Sequence, residues 1–391
     1  MQYRSDRYGR KLSALGYGCM RFTQGLTGVD MKKTEEEILE AIRLGVNYFD
    51  TAYIYPGSEA ALGEILAKNN ARDQVYIATK LPHYLLKKPG DAEKFFAEEL
   101  KRLQTDHVDY YLMHMLTDVK TWERLKDLGI PEWLKEKQAA GQIGQVGFSY
   151  HGNSDTFCAL LDAYDWDFCQ IQYNYLDEHS QAGVTGLKKA AAKGLPVIIM
   201  EPLRGGKLVN LPKDAQKQVE DYPVKRTPAE WSFRWLWDQP EVTVVLSGMN
   251  SLAMLRENVA VADSARENEL TADDKVLIAR LRDAINARLK VGCTGCRYCM
   301  PCPQGVDIPG IFAAWNRSAY DGRIRGMVDY VMCTSVRQDS TGAANCIGCG
   351  KCEKHCPQGI SIREELKKVK KAYEGPLYKV GTKVLKKVMK Y

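Results

Sequence analysis

Short apolar runs and longer amphipathic segments alternate eight times between residues 10 and 265, and this rhythm restricts the fold more than any other feature of the chain. LSALGYGCMRF reads as the first strand, followed by MKKTEEEILEAIRLG, a helix ending at Gly45. VNYFDTA then precedes EAALGEILAKN, VYIATKL precedes AEKFFAEELKRLQ, and VDYYLMHM precedes TWERLKDLGIPEWLKEKQAAG. QVGFSY, FCQIQYNYL, PVIIMEPL and VTVVLSGM supply four more strands, each with its helix. The strands are almost unbroken apolar stretches, as expected when a core covers one face and helices the other. Eight units in about 250 residues predict an α/β fold, a TIM-type (β/α)8 barrel. A doubly wound open sheet competes, but GYGCMRF lacks the G-x-G-x-x-G loop that follows the first strand there.

Charge and cysteine content change sharply near residue 290. From Val291 onward 17 Lys and Arg face 8 Asp and Glu, whereas residues 1–290 carry 38 against 41. Of 12 cysteines, three precede residue 290 and nine follow it. The expected organisation is a barrel over 1–270, a linking helix over 271–290 capped at Thr271, and a small, mainly helical domain over 291–391. MQYRSDRYGRK does not read as a signal peptide, and runs such as VIIM and VTVVL are far shorter than the roughly 20 residues of a membrane helix. A soluble, cytoplasmic protein with no membrane span is expected, so clustered cysteines point to metal ligation rather than disulfides.

Barrels of this kind collect their chemistry at the C-terminal ends of the strands. Asp50 ends the second strand, Lys80 the third and His114 the fourth, and Tyr55 lies in the loop after Asp50. The four form a sensible set. An ammonium beside a phenol favours the phenolate and is expected to lower the Tyr55 pKa, with Asp50 holding Lys80 charged. His114 is expected to orient a carbonyl oxygen while Tyr55 gives it a proton.

At these residues the chain resembles the aldo-keto reductases: DTAYIY matches their Asp-Thr-Ala-x-x-Tyr, ATK their lysine strand and YYLMH their histidine strand. The resemblance covers residues 1 to about 265. It implies a nicotinamide cofactor, NADP or NAD, lying across the rim and passing hydride to a small carbonyl substrate, with Tyr55 as acid. It also implies cofactor contacts from Met20, Arg21, Asp50, Ser149, Gln170, Glu257 and Asn258. This chain departs from the family at Tyr150, where Asn is usual after the serine, and at Met200, where an aromatic stacks on the nicotinamide. Gly248 and Met254 stand where basic residues grip the 2′-phosphate, with Arg256 nearby as a substitute cation, so the choice between NADP and NAD stays open.

Beyond Val291 the chain reads C-x-x-C-x-x-C-x-x-C-P at Cys293, Cys296, Cys299 and Cys302. It then reads C-x-x-C-x-x-C-x-x-x-C-P at Cys346, Cys349, Cys352 and Cys356. Runs this tight, closed by proline, wrap [4Fe-4S] clusters, and structural zinc rarely uses them. In two-cluster ferredoxins the fourth cysteine of each run serves the other cluster. One cluster then takes Cys293, Cys296, Cys299 and Cys356, and the other takes Cys346, Cys349, Cys352 and Cys302. The first run is one residue short, which leaves Cys333 as an alternative to Cys302. The 43 residues between the runs resemble a helical dicluster ferredoxin-like domain, and GYGCMRF, MEPLRGG and CMPCPQGVDIP resemble a bacterial and archaeal subgroup of aldo-keto reductases. Cys19, Cys158 and Cys169 read as small packing residues.

Nine lysines against three glutamates from Glu364 to Tyr391 suggest a docking patch for an acidic ferredoxin or flavodoxin, or a solvated helix face. No groove-reading motif accompanies the charge, so nucleic acid is not expected. An iron-sulfur oxidoreductase is the leading function. Because clusters pass single electrons and hydride carries two, a flavin-dependent reductase or an electron-transfer protein is the alternative.

Overall fold

In a computed structural model, which describes residues 1–25, 28–116, 118–151, 154–293, 295, 299–335, 340–356, 358–376, 378 and 380–382, eight parallel strands close into a barrel. The strands are β1 (Leu15–Gly18), β2 (Tyr48–Asp50), β3 (Tyr76–Leu81), β4 (Val108–Leu116), β5 (Ile143–Tyr150), β6 (Phe168–Gln172), β7 (Val197–Met200) and β8 (Val242–Ser247). Each pairs with its predecessor, and β8 returns to β1 through Val245–Leu15, Leu246–Gly16 and Ser247–Tyr17. The chain divides into two compact units, 1–278 and 279–391.

The barrel interior is filled by Tyr48, Ala78, Tyr110, Leu112, Phe168, Ile198, Val244 and Leu246. Large rings demand small neighbours: a Cβ at Gly147 would stand 2.6 Å from the Phe168 carbonyl oxygen and 2.7 Å from its ring. Successive side chains alternate between the faces of a strand, so the residue two positions beyond an interior one faces inward again, a layer nearer the C-terminal mouth. Asp50 follows Tyr48 in this way, Lys80 follows Ala78, His114 follows Leu112, Ser149 follows Gly147 and Gln170 follows Phe168. At the opposite end a hairpin of Tyr3–Ser5 and Lys11–Ser13 closes the barrel. Leu12 joins the interior cluster there, and the Tyr110 hydroxyl donates to Asp6 at 2.7 Å.

The surrounding helices are α1 (Met31–Arg43), α2 (Ser58–Lys68), α3 (Asp91–Leu103), α4 (Val119–Asp127), α5 (Ile130–Ala139), α6 (Ser154–Ala163), α7 (Gly183–Ala192), α8 (Lys213–Asp221), α9 (Pro228–Trp237) and α10 (Leu252–Ser264). The segment expected as one helix from Thr121 is two, α4 and α5. Gly129 sits at φ +75° between them and Pro131 starts the second. The first expected strand is also divided: Lys11–Ser13 belongs to the hairpin, β1 to the barrel, and Cys19–Arg21 forms a 3-10 turn. Helix α8 was not anticipated, because its charged sequence has few apolar positions.

Helix α11 (Ala272–Asn286) spans the boundary between the units, and Thr271 Oγ1 accepts from the Asp274 N–H at 3.2 Å. The second unit contains α12 (Ile308–Thr334), interrupted at Gly322, with α13 (Lys351–Lys354) and α14 (Ile362–Tyr373). Its core joins Val306, Ile308, Ile311, Phe312 and Tyr330 to the buried face of α14: Ile362, Leu366, Val369 and Tyr373. Among the described residues no helix is long and apolar enough to cross a membrane.

Helix α2, which follows the Tyr55 loop, touches α3 backbone to backbone. A Cβ at Gly63 would stand 2.4 Å from both the Arg102 carbonyl oxygen and the Leu103 carbonyl carbon. Gly63→Ala is expected to destabilise the barrel by about 1–3 kcal/mol, read as a lower midpoint of urea unfolding; an unshifted midpoint would refute this close approach.

Candidate active site and cluster-binding module

Asp50 and Lys80 form a buried ion pair at the barrel mouth. Lys80 Nζ lies 2.6 Å from Asp50 Oδ1 and donates to the Thr51 carbonyl at 2.6 Å, while Gln170 Nε2 donates to Asp50 Oδ2 at 2.8 Å. Lys80 is 1% exposed and Asp50 4%. Both carboxylate oxygens and the ammonium are therefore engaged, as burial of charge requires. Above the pair, Lys80 Nζ stands 5.1 Å from the centre of the Tyr55 ring, and the ring of His114 lies 6.0 Å from that of Tyr55 at 86°. The structure brings together all four side chains expected at this rim.

The loop carrying Tyr55 is held from behind. Thr51 Oγ1 and Ser58 Oγ are 2.8 Å apart, and Ser58 donates to the Cys19 carbonyl at 3.0 Å. On the outer face of β3, Thr79 donates to Glu59 at 2.6 Å. Arg102 binds Glu59 and the Tyr53 carbonyl, its guanidinium 4.2 Å from the centre of the Tyr53 ring. His114 is placed by a bulge: the β4–β5 register shifts between Met113 and Leu116, and Met115 adopts φ +59° with its N–H donating to Ser149 Oγ at 2.9 Å. Bulges and left-handed non-glycine residues are recurrent devices for aiming a side chain at a site.

The electrostatics correct one expectation. Burial raises the Tyr55 pKa above the ordinary phenol value, and although Lys80 lowers it, as anticipated, it does not outweigh the burial. Burial also opposes the charge on Lys80, but Asp50 and Tyr55 overcome this and hold the ammonium above its usual range. For His114, burial first and then Lys80 press the pKa down to about 2, so the imidazole is neutral, and its buried Nδ1 has no hydrogen-bond partner among the described residues. A protonated phenol and a neutral imidazole therefore share the mouth.

The residues expected to hold a cofactor are distributed unevenly. Ser149 and Gln170 are register partners across β5 and β6, both buried facing the mouth. Met20 is exposed, and the stem of Arg21 lies along Gly248, where a Cβ would stand 3.2 Å from Arg21 Cδ. Glu257, exposed on α10, accepts from Thr227 at 3.0 Å, and Asn258 is buried and donates to Ser247 at 3.1 Å. Tyr150 packs outward against Phe157, so its difference from the family pattern does not reach the mouth. Arg256 is not a free cation, because Glu40 on α1 holds it at 2.9 Å.

In the second unit the cysteines stand around a space. Among the described residues no three His, Cys, Asp or Glu side chains converge as they would on a single ion. Instead Cys299, Cys302, Cys346, Cys349 and Cys352 line a cavity of about 210 Å³. Four of these are the set that the crossed ligation rule gives to one cluster. Gly348 and Gly350, at φ +73° and +72°, let the backbone wrap around Cys349. Cys333 lies outside this lining, its Sγ 3.4 Å from the Tyr330 carbonyl. Cys293 and Cys356 pack against the small core, while Cys296 falls outside the described residues, as do residues 383–391 of the basic tail. Of the remaining thiols, Cys19 and Cys169 are buried and Cys158 is half-buried.

The family model of the aldo/keto reductases matches residues 14–278. The chain belongs to the aldo/keto reductase family. A model of the 4Fe-4S dicluster domain matches residues 292–361, so this aldo/keto reductase carries a C-terminal iron-sulfur module. The uncharacterized oxidoreductase YrpG of Bacillus subtilis is 26% identical over 311 residues, 68% of this chain and 91% of that protein. The holo form of aldo-keto reductase AKR11C1 from Bacillus halodurans superposes with a TM-score of 0.60 at 24% identity, covering 72% of this chain and 96% of that one. An aldo-keto reductase from Klebsiella pneumoniae in complex with NADPH gives 0.57 at 22% identity, with the same coverage.

Sequence reasoning missed the support behind this aldo/keto reductase site: Glu59, Thr79, Arg102 and the conformation of Met115. Glu59 carried a detectable signal, a carboxylate on the apolar side of α2, a position that demands a buried partner. The cavity lining separates the two candidate ligands. Cys302→Ser is expected to lower cluster iron and sulfide and to change the electron paramagnetic resonance of the reduced protein, whereas Cys333→Ser leaves both at parent level. The reverse pattern would assign Cys333.

Proposed function

We propose that the protein reduces a small carbonyl compound, or oxidises the matching alcohol, by hydride transfer with a nicotinamide dinucleotide, with Tyr55 as general acid and base. The single observation that carries this reading is the buried Asp50–Lys80 pair beneath Tyr55, with neutral His114 beside it. The dinucleotide, when bound, supplies or accepts the hydride. Ser149 and Gln170 are suited to its carboxamide and Arg21 to its phosphates. The Klebsiella pneumoniae neighbour, a complex with NADPH, supports the choice of cofactor class. Arg21 lies against Gly248 and Arg256 pairs with Glu40, so the choice between NAD and NADP stays open.

Each side chain then has a task. His114, neutral, donates one N–H to the carbonyl oxygen and fixes its position. Tyr55 passes its proton to that oxygen as negative charge develops. Lys80 stabilises the phenolate left behind, and Asp50 keeps Lys80 charged through the cycle. A phenol that holds its proton firmly remains a competent donor because the ammonium stabilises its conjugate base at the moment of transfer.

The clusters complete the proposal. One [4Fe-4S] cluster is held by Cys293, Cys296, Cys299 and Cys356, the other by Cys302, Cys346, Cys349 and Cys352. Thiolates must stay reduced to hold them, which suits the cytoplasm. The dicluster domain also favours a second reading, in which a flavin or the substrate at the barrel site receives electrons singly. Cofactor extracted from anaerobically purified protein separates the two.

Tyr55→Phe is expected to lower kcat for carbonyl reduction by about 10²–10⁴-fold while leaving the dissociation constant of the dinucleotide within a few-fold; parent turnover would remove the phenol from the reaction. The pH profile gives an independent check. Reduction requires the protonated phenol, whose pKa is raised, so kcat should stay flat through neutral pH and fall only in the alkaline range beyond about 10. His114, neutral down to about pH 2, should add no limb between pH 5 and 9; an acidic limb near 6.5 in kcat would contradict its neutral state.

A further inference from the structure

The face of the second unit over the cavity lined by Cys302, Cys346, Cys349 and Cys352 has an uncharged centre and a cationic edge. Cys349 is exposed at this surface and Ile347 is 67% exposed, although a large apolar side chain ordinarily seeks cover. Pro301, Pro303 and Gln304 are exposed beside them on the same lining. Lys351 and Arg363 also line the cavity, and Lys354 is exposed at the end of α13. No Asp or Glu is among the described residues of the lining. Glu353, nearby, is consumed by Arg363 at 2.8 Å, whereas no carboxylate among the described residues pairs with Lys351 or Lys354. By contrast Lys367 and Lys368 on α14 are matched by Glu364 and Glu365. Lys351 and Lys354 thus leave uncompensated charge at the cluster cavity, as Lys370 and Lys371 do on α14, where no carboxylate among the described residues pairs with them.

We propose that this face is the electron port of the protein, docking a small acidic one-electron carrier protein over Ile347 and Cys349. An apolar contact rimmed by charges of one sign is the usual plan of a transient interface, in which complementary charge speeds encounter and a small dry centre fixes the approach. An exposed ligand thiol brings the cluster edge to the contact, the arrangement a short electron jump requires. One electron leaves the reduced carrier, which is oxidised, and reduces the cluster held by Cys302, Cys346, Cys349 and Cys352; no bond forms or breaks. The proposal rests on that cluster assignment and not on the chemistry of Tyr55, so iron and sulfide content tests its basis separately from carbonyl turnover.

The test uses the full-length protein with both clusters and, as probe, flavodoxin reduced to its hydroquinone. Bleaching of the cluster absorbance is followed by stopped flow across a range of ionic strength. The double variant Lys351→Glu, Lys354→Glu should slow the bimolecular phase at least about tenfold at low salt and abolish its dependence on salt. Ile347→Asp, which keeps both lysines, should slow it as well. Lys370→Glu with Lys371→Glu, on α14, should behave as the parent, and dithionite should bleach every variant at the parent rate with unchanged electron paramagnetic resonance. Parent-like reduction of the first double variant by flavodoxin overturns the proposal. So does an equal loss in the α14 variant, a matching loss with dithionite, or a change confined to self-association, which would give the face to a second copy of the chain.

Discussion

The barrel mouth depends on a carboxylate and an ammonium that neutralise each other out of water. Neither Asp50 nor Lys80 could stay charged there alone, since desolvating a single ion costs several kcal/mol. The Lys80–Asp50 contact answers that cost only because Thr51 and Gln170 take up the remaining donor and acceptor capacity. Everything chemical above the pair follows from it. Lys80 lowers the cost of negative charge on Tyr55, and after burial, the larger cause, the same positive charge helps to keep His114 neutral.

That pair is in turn a product of packing lower in the barrel. Tyr48, Ala78, Leu112 and Phe168 fill the middle layer, and strand alternation then obliges the residues two positions on to face the same axis. Gly147 makes room for Phe168, and the neighbouring β5 residue, Ser149, takes its place at the mouth. The outer network of Glu59, Thr79 and Arg102 fixes the loop that brings Tyr55 over the axis. Core and site are layers of one stack.

The second unit solves a different problem with fewer resources. Its apolar core is small, and the partly buried cysteines that pack against it, Cys333 apart, are among those expected to bind the clusters. Cluster binding and folding are coupled in such a module, because the thiols that line the cavity also close the core. A 4Fe-4S dicluster module joined to an aldo/keto reductase barrel sets the main chemical question for this protein. The port proposed above concerns where electrons enter, and it holds whichever cofactor the barrel uses.

The sequence by itself determined the strand-helix rhythm, the barrel, the four mouth residues and the two cysteine runs. All of these are written locally: each strand ends in its own polar residue, and each run is contiguous. It did not determine the direction of the Tyr55 pKa, because Lys80 was visible as a neighbour whereas burial, the larger effect, depends on what the whole mouth covers. Nor could it show that Arg256 belongs to Glu40, that Tyr150 turns away from the site, or that a bulge at Met115 aims His114. These depend on residues far apart in the chain or on register between strands. The choice of Cys302 over Cys333 as a cavity lining was likewise tertiary. Spacing leaves both within reach, and only the path of the folded backbone decides which thiol lines the cavity with Cys346, Cys349 and Cys352.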